Sequence, residues 1–342
     1  MNNGNQVRWG ILGSGRIARA FVEGAQGSTL GTVAAIASRD PSRPAADGAF
    51  GEIPIVAGYE AVLRDPAIDA VYIALPHPLH AEWGIKAARS GKHVLCEKPF
   101  AMSSTEAEAM FAAAAGAGVL MAEAFMYRVH PLTRGILDVL NRGAIGEIRL
   151  IHSSFGFNMP MFLPEHRLLS KALGGGAVLD LGGYPVSMVR LLASHATPAR
   201  MLEPVEVKAV GRIGATGVDE WASASLRFEN GIVATLSVSL AAQQDNVLRV
   251  FGSQGRLEVD DFWFGTGRLG GTKQIKVIDN QGRVTAETIE EPRHVYTVQF
   301  DALNRSILSG ARELEYPGMN ARDTIGNMAV LDRWLVEIGY RS

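Results

Sequence analysis

Val7-Arg8-Trp9-Gly10-Ile11-Leu12-Gly13-Ser14-Gly15-Arg16-Ile17-Ala18 is the stretch on which the reading of this chain turns. Val7–Leu12 is a short apolar run of the kind buried in a parallel sheet. Two glycines follow, and then a helix-like stretch to about Gln26. Gly13 permits a tight strand-to-helix turn, and Gly15 lets backbone approach a pyrophosphate. Ala18 keeps the helix close to the sheet, completing the Ala variant of the dinucleotide fingerprint. The helix start, with Arg16 and Ile17 in its first turn, then faces the phosphates. A glycine turn without a ligand is the alternative. The strand before it and the helix after it favour the dinucleotide.

The end of the next strand bears on which dinucleotide. NAD-binding versions carry an acid about 20 residues on, to hold the ribose 2′-hydroxyl. Here the second strand, Thr32–Ala37, runs into Ser38-Arg39-Asp40. Ser38 takes the place of the acid, and Arg39 offers a guanidinium suited to a 2′-phosphate. Arg43 adds charge. NADP is therefore expected over NAD, with Asp40 the rival group if the strand runs longer.

Working outward, the first part of the chain alternates strand and helix patterns. Ala70–Leu75, His93–Cys96 and Val119–Phe125 read as buried strands, with helices at His80–Ser90 and Ser104–Ala117 between them. Ser103 and Glu106 form a capping box for the latter. Repeated β-α units of this kind build a doubly wound parallel sheet, a Rossmann fold. After His130-Pro131 the pattern changes. A helix over Leu132–Asn141 leads into longer alternating strands at Glu147–Phe157, Val205–Ile213, Trp221–Phe228, Ile232–Leu240 and Val247–Gly252. Asn230-Gly231 supplies a tight turn. Helices at Val295–Ser309 and Ala321–Ile338 close the chain. The expected class is α/β: a Rossmann domain over 1–126, then a substrate-binding and oligomerisation α+β domain over 127–342. The second domain carries a large, open, mostly antiparallel sheet. Its free face would need covering, which points to a homodimer or homotetramer.

Bulk properties set the outer bounds. At 342 residues, 47% hydrophobic and 20% charged, the chain has material for two cored domains. A net charge of −2 without runs of like charge argues against nucleic-acid or membrane partners. One cysteine forbids an internal disulfide and fits a reducing, cytoplasmic setting. The short polar start shows no signal peptide.

Two further motifs carry the chemistry. Glu97-Lys98-Pro99 closes the strand His93–Cys96, at a carboxyl end where open parallel sheets bind ligands. Gly174-Gly175-Gly176-Ala177-Val178-Leu179-Asp180-Leu181-Gly182-Gly183-Tyr184 marks a place where backbone passes close to something. Its Asp180 and Tyr184 are four apart and share a helix face. On its own, that segment reads equally well as a capped helix with a core tyrosine.

Together with the Gly-rich turn, these motifs resemble the glucose–fructose oxidoreductase / inositol dehydrogenase / rhizopine-catabolism (Gfo/Idh/MocA) family over nearly the whole chain. Trp9-Gly10-Ile11-Leu12 and Glu123-Ala124-Phe125-Met126-Tyr127-Arg128 are typical of its dihydrodiol and xylose dehydrogenase-like branch. Inositol dehydrogenase-type members have His where Tyr184 stands, so the chain looks nearer the Tyr-bearing branch. The resemblance implies that Lys98 and Tyr184 act on a substrate hydroxyl or carbonyl, with Asp180 beside them. It also implies that Pro76, His77 and His80 line the nicotinamide side, and that Glu97 holds the nicotinamide ribose or amide region. A phenol near its usual pKa of about 10 is a poor base at neutral pH, and a nearby ammonium favours the phenolate. Tyr184 is thus expected to move the proton with Lys98 as its partner, and Lys98 as the acid/base is the alternative.

Other residues are weighed against plainer roles. Arg128, Phe157 and Arg167 are substrate-binding candidates, set against a domain-junction salt bridge, core packing and loop charge. Phe155 and Phe162 share the aromatic reading. Cys96 reads as a small buried hydrophobe. His77 and His80 lack a third ligand for a metal. The expected activity is hydride transfer between nicotinamide, NADP preferred, and a CH–OH carbon of a sugar or related cyclic polyol. A cofactor-binding regulator without catalysis, or an enzyme with retained nicotinamide, is the alternative.

Overall fold

The computed structural model describes residues 6–40, 50–159, 166–196 and 201–341. Two compact units emerge, Met1–His130 with Arg293–Thr324, and Pro131–Pro292 with Ile325–Ser342. Sequence reading puts one cut after residue 126, whereas here segment 293–324 counts with the first unit.

The first unit is built on six parallel strands: β1 (Val7–Leu12), β2 (Gly31–Ser38), β3 (Ile55–Ala57), β4 (Ala70–Ile73), β5 (His93–Cys96) and β6 (Met121–Glu123). Their order is β3-β2-β1-β4-β5-β6, the doubly wound arrangement with its switch point between β1 and β4. Helices α1 (Arg16–Ala25), α2 (Tyr59–Arg64), α3 (His80–Arg89) and α4 (Ser104–Ala117) make the crossovers. The Ser103 hydroxyl caps α4 by accepting the Glu106 N–H at 3.2 Å. The Glu106 carboxylate reaches back to the Met102 N–H at 2.9 Å, one residue earlier than the usual box. Sequence reading missed β3 and α2, which are too short to show a period.

In the second unit, α5 (Pro131–Asn141) precedes an eight-stranded sheet. Its strands are β7 (Ile148–Gly156), β8 (Pro204–Ile213), β9 (Asp219–Phe228), β10 (Val233–Ser239), β11 (Leu248–Gly252), β12 (Gly255–Val259), β13 (Gly271–Asp279) and β14 (Val284–Glu291). Their order is β14-β13-β12-β11-β7-β10-β9-β8, antiparallel except where β7 and β10 pair in parallel. The last two strands carry no clean alternation. β14 is an edge strand exposed on both faces from Val284 to Thr288, so its sequence reads as a polar loop. Helix α6 (Gly183–Ala193) packs on the sheet and is buried along its whole length.

The closing helices are α7 (Val295–Leu308) and α8 (Ala321–Glu337). Phe300 and Leu303 of α7 join Trp9, Phe21 and Tyr72 in the core of the first unit. The Trp9 indole donates to Asn304 Oδ1 at 2.8 Å. This apolar face is why 293–324 groups with the Rossmann sheet. No helix among the described residues is long and apolar enough to cross a membrane.

Candidate active site

The Gly-rich turn is shaped for a ligand. Gly13 has φ +103°, and a Cβ there would lie 2.5 Å from the Ala74 carbonyl oxygen. No other residue fits that turn. Gly15, in extended conformation, precedes α1 without any side-chain cap. A Cβ on Gly15 would meet nothing within 4 Å, so its backbone is open to close approach. An uncapped helix start beside an open glycine suits a pyrophosphate. The residues present therefore fit a dinucleotide, which Gly13, Gly15, Arg16 and Ile17 would hold.

At the end of β2, the Ser38 hydroxyl donates to the Asp40 carbonyl at 3.1 Å and accepts the Asp40 N–H at 3.3 Å. Arg39 is exposed. Its guanidinium bonds the phenol of Tyr59, whose pKa is raised by burial and pulled back by that contact. Register places Ser38 against Ala57, and the Ser38 carbonyl accepts the Gly58 N–H at 2.9 Å, which sets Tyr59 there. Arg43 lies outside the described residues.

Pro76, His77 and His80 follow β4, and Glu97 and Lys98 follow β5, its neighbour in the sheet. The Lys98–Pro99 peptide bond is cis. Buried His80 has Nδ1 2.9 Å from the Pro99 carbonyl oxygen and Nε2 2.8 Å from that of Leu75. It ties the two strand-end loops together. His77 is also buried, edge-on to His80 at 5.7 Å between centroids. The Glu97 carboxylate accepts the Tyr72 hydroxyl, a partner not evident from sequence. Burial first, then Glu97, pushes the Tyr72 phenol well above its ordinary range. Cys96 is fully buried, and burial raises its thiol well above the ordinary value, as suits an inert hydrophobe. Among the described residues there is no cluster of three acids, histidines or cysteines fit for a metal.

Arg128 departs from its expected role. It is 1% exposed, ion-paired with Asp323, and its Nε donates to the Pro317 carbonyl at 2.8 Å. This is a buried structural pair, not a substrate contact, because a desolvated guanidinium needs a fixed counter-charge.

In the second unit the three-glycine segment is a close approach. A Cβ on Gly175 would lie 2.5 Å from the Leu168 carbonyl oxygen. Gly176 has φ +117°, and its Cβ would fall 2.1 Å from Asp219 Oδ1. The Tyr340 hydroxyl donates to the Gly175 carbonyl at 2.9 Å, and burial pushes that phenol up to about 12. Between the glycines and α6, Val178–Gly182 forms a π-helical turn. Such turns occur often at functional sites. Asp180 is buried on it, with Arg167 Nη2 3.4 Å from its Oδ1. Arg167 is about half exposed, so it is a loop charge that also faces Asp180. Tyr184 is 5% exposed and stands edge-on to Phe155 at 4.9 Å and to Trp263 at 5.6 Å. Phe155 is core packing, stacked on Trp263. Phe157 is half-buried, its N–H bonded to the Ser239 carbonyl at 3.0 Å. Phe162 lies outside the described residues.

Asp219 was not legible in the sequence. From the start of β9 its Oδ2 accepts the Val178 N–H at 2.7 Å, capping the helix that carries Asp180 and Tyr184. Burial lifts this carboxyl from 3.8 to about 6. A raised carboxyl contributes stability that is fully present below the unfolded value and lost as pH rises through about 6. Asp219→Ala should destabilise the unit by about 1–2 kcal/mol, the range for a lost cap. Asp219→Asn should flatten the pH dependence of thermal unfolding between those values. A melting temperature unchanged by Ala would count against the cap.

Residues 7–125 match the model of the oxidoreductase family described as an NAD-binding Rossmann fold, and residues 134–258 match the GFO/IDH/MocA C-terminal domain. The chain is 34% identical over 327 residues to D-xylose 1-dehydrogenase (NADP(+)) 2 of Haloferax volcanii, covering 95% of each. It is 34% identical over 276 residues to trans-1,2-dihydrobenzene-1,2-diol dehydrogenase of Xenopus laevis, covering 79% of this chain and 80% of that one. Among solved structures, KijD10 of Actinomadura kijaniata, a 3-ketoreductase in complex with NADP and TDP-benzene, superposes with TM-score 0.84. Identity to it is 32%, and 98% of each chain is covered.

Proposed function

The chain belongs to the GFO/IDH/MocA family of NAD(P)-dependent oxidoreductases, and from that membership we propose that it is an NADP-preferring dehydrogenase or reductase. Its substrate is a hydroxyl or carbonyl carbon of a sugar or related cyclic polyol. The observation that carries this reading is Lys98, set directly after β5 at the carboxyl edge of a sheet whose Gly-rich turn fits a dinucleotide. The names of relatives, one for D-xylose and NADP and one for a dihydrodiol, support the substrate class and the cofactor.

When bound, the nicotinamide takes or gives the hydride. The remaining work falls to side chains. In oxidation Tyr184 receives the proton of the reacting hydroxyl as its C–H bond loses a hydride. In reduction Tyr184 returns that proton to the forming alkoxide. Lys98 donates a hydrogen bond to the same oxygen and favours the phenolate. Phe155 and Trp263 fix the plane of the Tyr184 ring. Asp180, with Arg167 on its Oδ1, orients a neighbouring hydroxyl or Tyr184 itself.

Ser38 and Arg39 carry the preference for NADP, because nothing at Ser38 holds a ribose 2′-hydroxyl as an acid would. Arg39→Ala should raise KM for NADP by roughly tenfold, as losing a charged hydrogen bond to phosphate does, with little effect on NAD. Equal changes for both cofactors would overturn that preference.

The enzyme works in the cytoplasm as a homodimer or homotetramer. Alternation along β9 and β10 puts Trp221, Ser223, Ser225 and Thr235 on an uncovered face, and a second copy is its occupant. Light scattering that returned a monomer mass would remove this part of the reading.

A further inference from the structure

Glu123 closes β6 and is 1% exposed, an acid at the end of a buried strand. A buried carboxyl is costly unless it is protonated or well bonded. Parallel register sets Glu123 beside Cys96, the last residue of β5, where the chain turns toward Lys98. Its Oε1 accepts the Phe100 N–H at 3.0 Å, two residues beyond that lysine. Its Oε2 is buried with no partner in ordinary geometry, and the facing Thr324 hydroxyl is in the same condition. The titratable groups around it are Arg128 and Asp323, already paired with each other, and the neutral Cys96 thiol of β5.

We propose that Glu123 is a positioning residue, fixing through the Phe100 N–H the turn that presents Lys98. The inference rests on reading Lys98 as catalytic. Burial lifts the Glu123 carboxyl to about 8, so near neutral pH it is an uncharged acid. In that form Oε1 accepts from Phe100 while the acid proton is available to the Thr324 hydroxyl. Ionisation leaves a charge buried beside Asp323, which the Phe100 N–H, the Thr324 hydroxyl and Arg128 offset only in part. The sign follows from a folded value above the unfolded one of 4.5: the contribution is complete at low pH and is lost as pH rises through about 8.

Glu123→Gln keeps an acceptor for Phe100 and a donor for Thr324 but cannot ionise, whereas Glu123→Leu removes both. By amide hydrogen exchange, Phe100 should be protected in the Gln variant as in the parent, and should exchange about tenfold faster in the Leu variant. With NADP⁺ and D-xylose, Gln should keep kcat within about twofold at neutral pH, and Leu should lose roughly tenfold or more, as a displaced catalytic group does. NADPH affinity should hold in both. As pH rises toward and through about 8 the parent should lose stability and kcat that Gln retains. A Leu variant with parental kcat and Phe100 protection overturns the inference, as does a Gln variant as impaired as Leu. Should Leu fail to fold, or D-xylose not be turned over, Phe100 exchange and the pH dependence of unfolding in Gln decide. Lys98→Met separates the two layers: if it is fully active, the reading of Lys98 falls and this inference with it. If it is inactive while Leu is fully active, Glu123 alone is excluded.

Discussion

Tyr184→Phe should abolish almost all turnover while leaving the nicotinamide cofactor bound as tightly as before. The phenol oxygen is the atom proposed to carry the proton, and losing a positioned acid–base group costs about 10²- to 10⁴-fold in rate. Nothing else about the ring should change. Tyr184 is 5% exposed and held edge-on by Phe155 and Trp263, contacts that phenylalanine reproduces. The Asp219 cap and the Gly175–Tyr340 bond act on backbone, so the helix start should also persist. The loss should therefore fall on kcat, with thermal stability and NADPH titration close to the parent. A variant that keeps parental kcat would move the proton-transfer role to Lys98.

Lys98→Met should produce a loss of similar size for a different reason. Methionine roughly conserves length and removes the ammonium, and with it the hydrogen bond to the reacting oxygen and the field favouring the phenolate that are proposed for Lys98. A preorganised electrostatic donor of this kind is worth about 10²- to 10³-fold in kcat. The remaining activity should climb with pH up to about 8, where Glu123 begins to ionise, since alkali then does what the ammonium did. His80 still bridges the Leu75 and Pro99 carbonyls, and Glu123 still holds Phe100, so the turn itself should stay in place. An unchanged kcat would leave the chemistry to groups outside the proposed pair.

Much of the fold was legible because local patterns agree with the global arrangement. The helix Ser104–Ala117 and the strand His93–Cys96 fall where capping and apolar runs put them. What escaped has physical causes. β14 is polar because it is an edge strand exposed on both faces, so alternation is erased. The segment 293–324 belongs with the first unit because Phe300 and Asn304 meet Trp9, a contact between residues almost 300 apart. Such pairings leave no trace in spacing.

The candidate site was legible to the extent that its residues sit in motifs. Gly13, Lys98 and Tyr184 announce themselves through turn chemistry, a strand end and a glycine run. Arg128 followed the plainer reading, a buried pair with Asp323, because burial rather than sequence decides whether a guanidinium faces ligand. Asp219 caps a helix from 41 residues away, and no local signal marks it. Glu123 did leave one: a lone acid within the apolar run Val119–Phe125, which a search for misfits in buried strands would have found.

The most direct measurement is a panel of aldoses, cyclic polyols and trans-dihydrodiols, with their ketones for the reverse direction. It is followed by nicotinamide absorbance with NADP(H) and NAD(H) in parallel. Turnover of at least one member, with kcat/KM higher for the NADP form, is the expected result. No change with any alcohol or any ketone, in a protein that still binds NADPH, would contradict the oxidoreductase reading and leave a cofactor-binding regulator in its place.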